Sequence, residues 1–178
     1  MAKAPAKITP GYLENAALHY LERFASSSAN LRRVLMRKVD RSLAHWGGER
    51  ETAAAQVDSV VAKLAGLGYV DDAAYAAMKV RSLNRQGKGT RMIRAALSAK
   101  GVAADHADAA LSALAEDLGE PDFDAAIRLA RKRRLGPFRP EANRAEMRQK
   151  DLAALARAGF DFATARRVIE AASEEELD

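Results

Sequence analysis

Cysteine is absent from the 178-residue chain, which excludes disulfides, thiolate metal ligation and a thiol nucleophile, and makes a reducing cytoplasm the simplest home. Aromatic residues are few, 6% of the chain, and several fall on apolar helix faces, so no interleaved platform for stacking nucleobases is present. Trp46, in the glycine-rich "HWGGE", stands apart, either as a cover over a small core or as an anchor for a partner. No apolar run approaches the ~20 residues of a membrane span, so no membrane association is expected. The opening "MAKAPAKITP" lacks the apolar stretch of a secretory signal and reads as a flexible basic arm over residues 1 to 10. His19, His45 and His106 lie far apart without an i, i+4 pair, and no serine sits in a G-x-S-x-G turn. With no acid, base and nucleophile converging, the chain reads as non-enzymatic, with no metal and no cofactor.

What is present is alanine, helical periodicity and charge. Hydrophobic residues make up 48% of the chain and charged residues 30%, with a formal net charge of +5. The charge comes in blocks: residues 71 to 100 and 125 to 140 are strongly basic, residues 101 to 124 strongly acidic, and "EEELD" closes the chain as an acidic tail at 174 to 178. Segregated charge predicts a surface with distinct positive and negative zones and an acidic or polyanionic partner.

Apolar residues recur three and four apart nearly everywhere, and glycine and proline fall between the periodic stretches, so the fold class is all-α. Leu13, Ala17, Tyr20, Leu21 and Phe24 form the stripe of a first helix over 11 to 25, ended by "SSS". Ser27 or Ser28 caps a second helix carrying Leu31, Val34 and Leu35, and Val57, Val60, Val61 and Leu64 mark a third that ends at Gly68. Asp71 is the N-cap of the next helix and Asp72 lies in its first turn, a better reading of "DD" than a metal site because no other ligand type is near. Ile93, Ala96 and Leu97 point inward from a helix capped by Thr90 and ended by Gly101, and four further helices follow.

Nine helices fall into three trios. "LMRKV" from Leu35, "LSAKG" from Leu97 and "LARAG" from Leu155 occupy the same place in each, which suggests three tandem three-helix repeats stacked into an elongated, curved array. The repeats are placed at 11–68 (with an insertion at about 40–55), 69–118 and 119–173.

"RQGKGTRMIRAALSAKG", residues 85 to 101, poses the sharpest functional question. A phosphate loop needs G-x-x-x-x-G-K-[ST] after a buried strand, whereas here Gly89 separates Lys88 from Thr90, and Ser82 stands where the first glycine belongs. The glycines are better read as a joint between two helices. Arg81, Arg85, Lys88, Arg91 and Arg94 lie opposite the apolar stripes of those helices and make one basic surface. Arg32, Arg33 and Arg37 in the first trio, and Arg128, Arg131, Lys132 and Arg134 in the third, add further patches. Such patches on one array can track nucleic acid or an acidic protein.

The residues also resemble a known family. "YLERFASSSANL", through Tyr20, Leu21, Arg23, Ser27 and Leu31, and "LGYVDDAAYAAMKVRSLNRQGKGTRMIRAALSAKGV", through Gly68, Asp71, Asp72, Tyr75, Ala76, Val80, Arg81, Ser82, Gly87, Gly89, Ile93, Leu97, Lys100 and Gly101, are similar to the signatures of the RecX family of RecA regulators. The resemblance implies three three-helix repeats and a cytoplasmic, monomeric regulator. Such a protein binds RecA filaments on single-stranded DNA and inhibits their extension, ATPase, strand exchange and co-protease activity. A helical protein acting directly on DNA, without a recombinase, is the alternative.

Overall fold

The structure, a computed structural model, describes residues 4 to 177. Among them there are nine α-helices and no strand: α1 (Pro10–Leu21), α2 (Ser28–Trp46), α3 (Arg50–Gly66), α4 (Asp72–Arg85), α5 (Thr90–Ala99), α6 (Ala104–Leu118), α7 (Pro121–Arg133), α8 (Arg144–Arg157) and α9 (Phe162–Ile169). Met1, Ala2, Lys3 and Asp178, the ends of the expected basic arm and acidic tail, lie outside the described residues. The chain gathers into two compact units. One comprises the residues up to Tyr75 with Lys100–Val102, and the other Ala76–Ala99 with the residues from Ala103 onward. Leu35, Leu97 and Leu155, aligned by the repeat, are all buried.

In the first unit α1, α2 and α3 bury Leu13, Ala17, Leu31, Leu35, Val39, Val57 and Leu64 in one cluster. Thr9 caps α1 by accepting from the Tyr12 N–H at 3.1 Å, and Ser27 caps α2 by accepting from the Asn30 N–H at 3.2 Å. The Ser27 hydroxyl donates in turn to the Lys100 carbonyl at 2.5 Å. The two aspartates divide the capping work. Asp71 accepts from the Ala74 N–H of its own helix at 2.9 Å, as expected, whereas Asp72 accepts from the Ser28 N–H at the start of α2 at 2.7 Å. Burial of Tyr75 just beyond pushes its phenol pKa up, with a smaller push from Tyr20.

One expectation for this unit needs correction. The first helix stops at Leu21, because the chain must turn extended at Ser27 to cap α2, and Phe24 leaves the core to stack at the surface on Tyr20 with ring centroids 5.2 Å apart. Phe24 is 51% exposed. The segment 40 to 55 is mostly helix: α2 continues to Trp46, Gly47 and Gly48 break it at φ 71° and 120°, and α3 begins at Arg50. The described part of the N-terminal arm is docked. Trp46 donates its indole N–H to the Pro5 carbonyl at 2.8 Å, the Lys7 ammonium lies 5.0 Å from the ring centroid, and Ile8 packs against the core.

In the second unit Ala76, Val80, Ile93, Leu97, Leu111 and Leu114 are buried, and α7, α8 and α9 pack around Leu155, Phe160, Ala165 and Val168. The connector "GPFRP" is fixed by the buried Asp151, which accepts from the Gly136 N–H at 2.9 Å and from Arg139 at 2.9 and 3.2 Å. The G-K-G joint docks directly on the third trio. Gly89 donates its N–H to the Ala158 carbonyl at 2.9 Å, and the Arg91 N–H reaches the Gly159 carbonyl at 3.2 Å. A Cβ at Gly89 would lie 2.5 Å from the Gly159 carbonyl carbon, and one at Gly159 would lie 2.5 Å from the Met92 nitrogen. Backbone therefore crosses backbone where both residues lack side chains. Thr90 differs from the expectation of a capping residue. It is the first residue of α5, and its N–H and hydroxyl both donate to Asp122, at 3.0 and 2.9 Å.

Candidate functional site

The helix faces are as the periodicity requires: Arg81, Arg85, Arg91 and Arg94 are exposed while Val80, Ile93 and Leu97 are buried. What each guanidinium touches differs from residue to residue. Arg81 pairs with Asp117 at 2.9 Å, and Arg94 makes a close ion pair with Asp108, so two arginines of α4 and α5 are matched by carboxylates on α6. Arg91 turns back to donate to the Phe160 carbonyl at 2.9 Å, beside the glycine crossing. Arg85 and Lys88 have neither an ion pair nor a side-chain hydrogen bond among the described residues. The continuous basic surface expected along α4 and α5 is thus a mixed one, with unmatched charge at the end of α4 and in the joint.

On α7, Arg128 donates to the side-chain and main-chain oxygens of Asn84 at 3.0 and 3.3 Å. Asn84, buried itself, also donates to the Pro121 carbonyl at 2.8 Å, which fixes its amide and thereby Arg128. Arg131 lies over the Phe138 ring at 5.2 Å and 4.0 Å from Glu174. Lys132, Arg133 and Arg134 are exposed at the end of α7, where cations complement the helix dipole, and Arg134 ends the helix in the left-handed region at φ 54°.

In the first unit Arg32 is held by Asp58 at 2.5 and 3.2 Å, a contact that lowers the Asp58 pKa and raises that of Arg32. Arg33 is exposed. Arg37 lines a shallow groove with Tyr20, Phe24, Arg23, Lys38 and Arg41, a richer basic set than the three arginines expected there.

Among the concavities of the second unit that combine charge with apolar surface, one is dominated by arginine. A groove of about 480 Å³ formed by α4, α6 and α7 is lined by Leu114 and Leu118 together with Arg81, Asn84, Arg85 and Arg128, with Asp117 the one acid on its lining. Neither leucine is marked by sequence reasoning as functional. The signal available was the acidic block of α6 following the basic block of α4 and α5, which foretells partners for some of those arginines. Exposed ion pairs contribute only ~0–1 kcal/mol, so Arg81 and Arg94 remain able to exchange their carboxylates for an anionic partner.

A family model described as the second three-helix domain of RecX matches residues 71 to 111, which run from the N-cap of α4 to Leu111 in α6. A relative from Myxococcus xanthus, called regulatory protein RecX, is 50% identical over 94% of this chain and 89% of its own length. The chain belongs to the RecX family. A second RecX relative, from Agrobacterium fabrum, is 32% identical over 99% of this chain and 92% of its own. Two crystal structures of RecX proteins share the fold. One, from Lactobacillus salivarius, has a TM-score of 0.66 at 24% identity over 90% of this chain and 94% of its own, and the other has a TM-score of 0.67 at 25% identity over 91% and 72%. Within the matched residues "VDDAAY" caps two helices, and "GKG" lets the start of α5 meet the end of α8. Among the described residues no helix is long and apolar enough to cross a membrane.

Proposed function

We propose that the protein is a non-enzymatic, monomeric cytoplasmic regulator that binds RecA filaments on single-stranded DNA and restrains their extension, ATP hydrolysis, strand exchange and co-protease action. Relatives named regulatory protein RecX, 50% and 32% identical across nearly the whole chain, support the regulatory part of this reading. The observation that carries the binding part is the unmatched charge of Arg85 and Lys88 beside exchangeable pairs at Arg81 and Arg94. A filament repeats the same surface, so several modest contacts act at high local concentration and add to a useful affinity. Arg85 and Lys88 dominate, and Arg91, used internally, contributes less than its position on α5 suggests.

RecA ATPase on single-stranded DNA, titrated with this protein at two salt concentrations, tests the proposal. Inhibition is expected at low protein concentration and is expected to weaken with salt, as contacts between opposite charges do. The double variant Arg85→Glu, Lys88→Glu should keep its helical content and lose at least about tenfold in inhibitory potency, the equivalent of about 1.4 kcal/mol. Full inhibition by the folded double variant sinks the proposed surface. Equal, steeply salt-dependent binding to DNA with no effect on RecA would show a direct DNA binder instead.

A further inference from the structure

We infer that the groove between α4, α6 and α7 is a docking site for an acidic peptide segment that carries one large aliphatic or aromatic side chain between carboxylates. The inference deepens the regulatory reading and rests on it, because it names the chemistry by which a protein partner would be held. The groove's aliphatic lining and the absence of an aromatic face select this occupant over a nucleic-acid strand, and its arginines supply the charge complementarity.

The apolar part of the lining is aliphatic. Leu114 is buried and Leu118, at the end of α6, is 51% exposed, so the groove presents apolar surface that an incoming apolar side chain would cover. A stacked base would need an aromatic face, and none lines the groove. Its volume of about 480 Å³ accommodates a side chain with the flanking backbone, and it is continuous with charge instead of isolated from it.

The arginines around it are also set at different readiness. Arg128 is fixed by Asn84, itself anchored on the Pro121 carbonyl, which makes a positioned donor without the entropy cost of ordering a free side chain. Arg85 is exposed and unmatched among the described residues. Arg81 is matched by Asp117 through an exposed pair that a peptide carboxylate can replace. With three arginines against one aspartate, the lining is complementary to carboxylates on either side of an apolar residue.

Fluorescence anisotropy on the full chain tests this without any recombinase. The probe is a labelled peptide of about eight residues, glutamates with one central leucine, of the length that a single groove engages. It is compared with the same peptide bearing serine for leucine, and with a labelled oligothymidylate as competitor. Binding of the leucine peptide is expected, weaker by about tenfold for the serine peptide, and weaker by about tenfold again for Arg85→Glu and for Leu118→Glu. Both altered positions are exposed, and circular dichroism confirms the fold of each variant. Arg157→Glu, an exposed cation at the end of α8, should leave affinity unchanged. Equal binding of the two peptides, or undiminished binding by Leu118→Glu, overturns the groove. So does oligothymidylate displacing the peptide in a manner lost in Leu118→Glu. If the peptide fails to bind while the Arg85 and Lys88 changes still weaken RecA inhibition by about tenfold or more, the inference falls and the regulatory reading stands.

Discussion

Replacing Gly89 by alanine adds one methyl group at the point where α5 meets the end of α8. Gly89 has no left-handed φ, so the substitution carries no backbone strain of its own, and space alone decides its effect. The added carbon would sit 2.5 Å from the Gly159 carbonyl carbon and 2.6 Å from the Phe160 nitrogen, and both are backbone atoms that cannot swing aside. The two segments must separate, which stretches the Gly89 to Ala158 and Arg91 to Gly159 hydrogen bonds, 2.9 and 3.2 Å in the native joint. Overpacking costs about 1–3 kcal/mol and each lost hydrogen bond about 1 kcal/mol, so Gly89→Ala should destabilise by about 3–5 kcal/mol. For a chain of this size each kcal/mol moves the melting temperature by about 2–4 °C, so thermal unfolding should fall by about 10 °C. Gly66→Ala serves as the control. Its Cβ meets nothing within 4 Å in a helical position, and it should be neutral or stabilise by about 0.5–1 kcal/mol. Differential scanning calorimetry on both decides the matter. A Gly89→Ala protein melting within about 2 °C of the parent would refute the crossing, and would return the G-K-G sequence to the readings in which its glycines serve a ligand.

Three further outcomes follow from the same contacts. Asp72→Ala should destabilise by about 1–2 kcal/mol, at least as much as Asp71→Ala, because it frees the Ser28 N–H at the head of α2, and chemical denaturation of the two variants compares them. Arg94→Glu should cost more stability but less RecA inhibition than Arg85→Glu, since Arg94 is already matched by Asp108 and its reversal sets two acids together; paired melting and ATPase curves check this. The Asp58 carboxyl, held below the ordinary carboxylate range by Arg32, gives a stabilising contact present above the unfolded carboxylate pKa and lost as pH falls through the lower folded value. An NMR titration should show the Asp58 pKa returning to the ordinary range in Arg32→Ala, and an unchanged value would exclude the pairing.

The parts of this fold written in the sequence are those with local causes. Periodic leucine and valine positions, Ser27 and Asp71 as caps, and the left-handed glycines Gly68 and Gly101 each act within a turn or two of their own position, so the all-α class and the helix order were legible. Thr90 was misread because its partner, Asp122, lies a whole helix pair away, and both residues look like ordinary N-terminal residues of their own helices. Phe24 was misread because helical spacing continues past Leu21 although the cap at Ser27 forbids the helix to do so. Pairing was the least accessible level. Nothing local distinguishes Arg94, which meets Asp108, from Arg85, which meets no carboxylate among the described residues, and only the alternation of basic and acidic blocks hints that some of the charge is internal.

The joint and the charged groove are one construction within the second unit. Asn84, the last buried residue of α4, reaches α7 through the Pro121 carbonyl and Arg128, and one turn later Gly87 lets the chain reverse at φ 77° against Leu129 of the same helix. Thr90 then binds Asp122 at the head of α7, and Gly89 seats on Ala158. Four consecutive attachments thus fix the end of α4 and the start of α5 against α7 and α8, leaving Arg85 and Lys88 as the cations in that stretch with no fastening among the described residues. Glycines that would be a weakness inside a helix here make a close crossing, and the closeness braces the backbone that carries the neighbouring charges. A surface arginine on a loose loop must be ordered by its partner when it binds, whereas one set on a braced corner loses less freedom, and its charge is available to a partner at correspondingly lower cost.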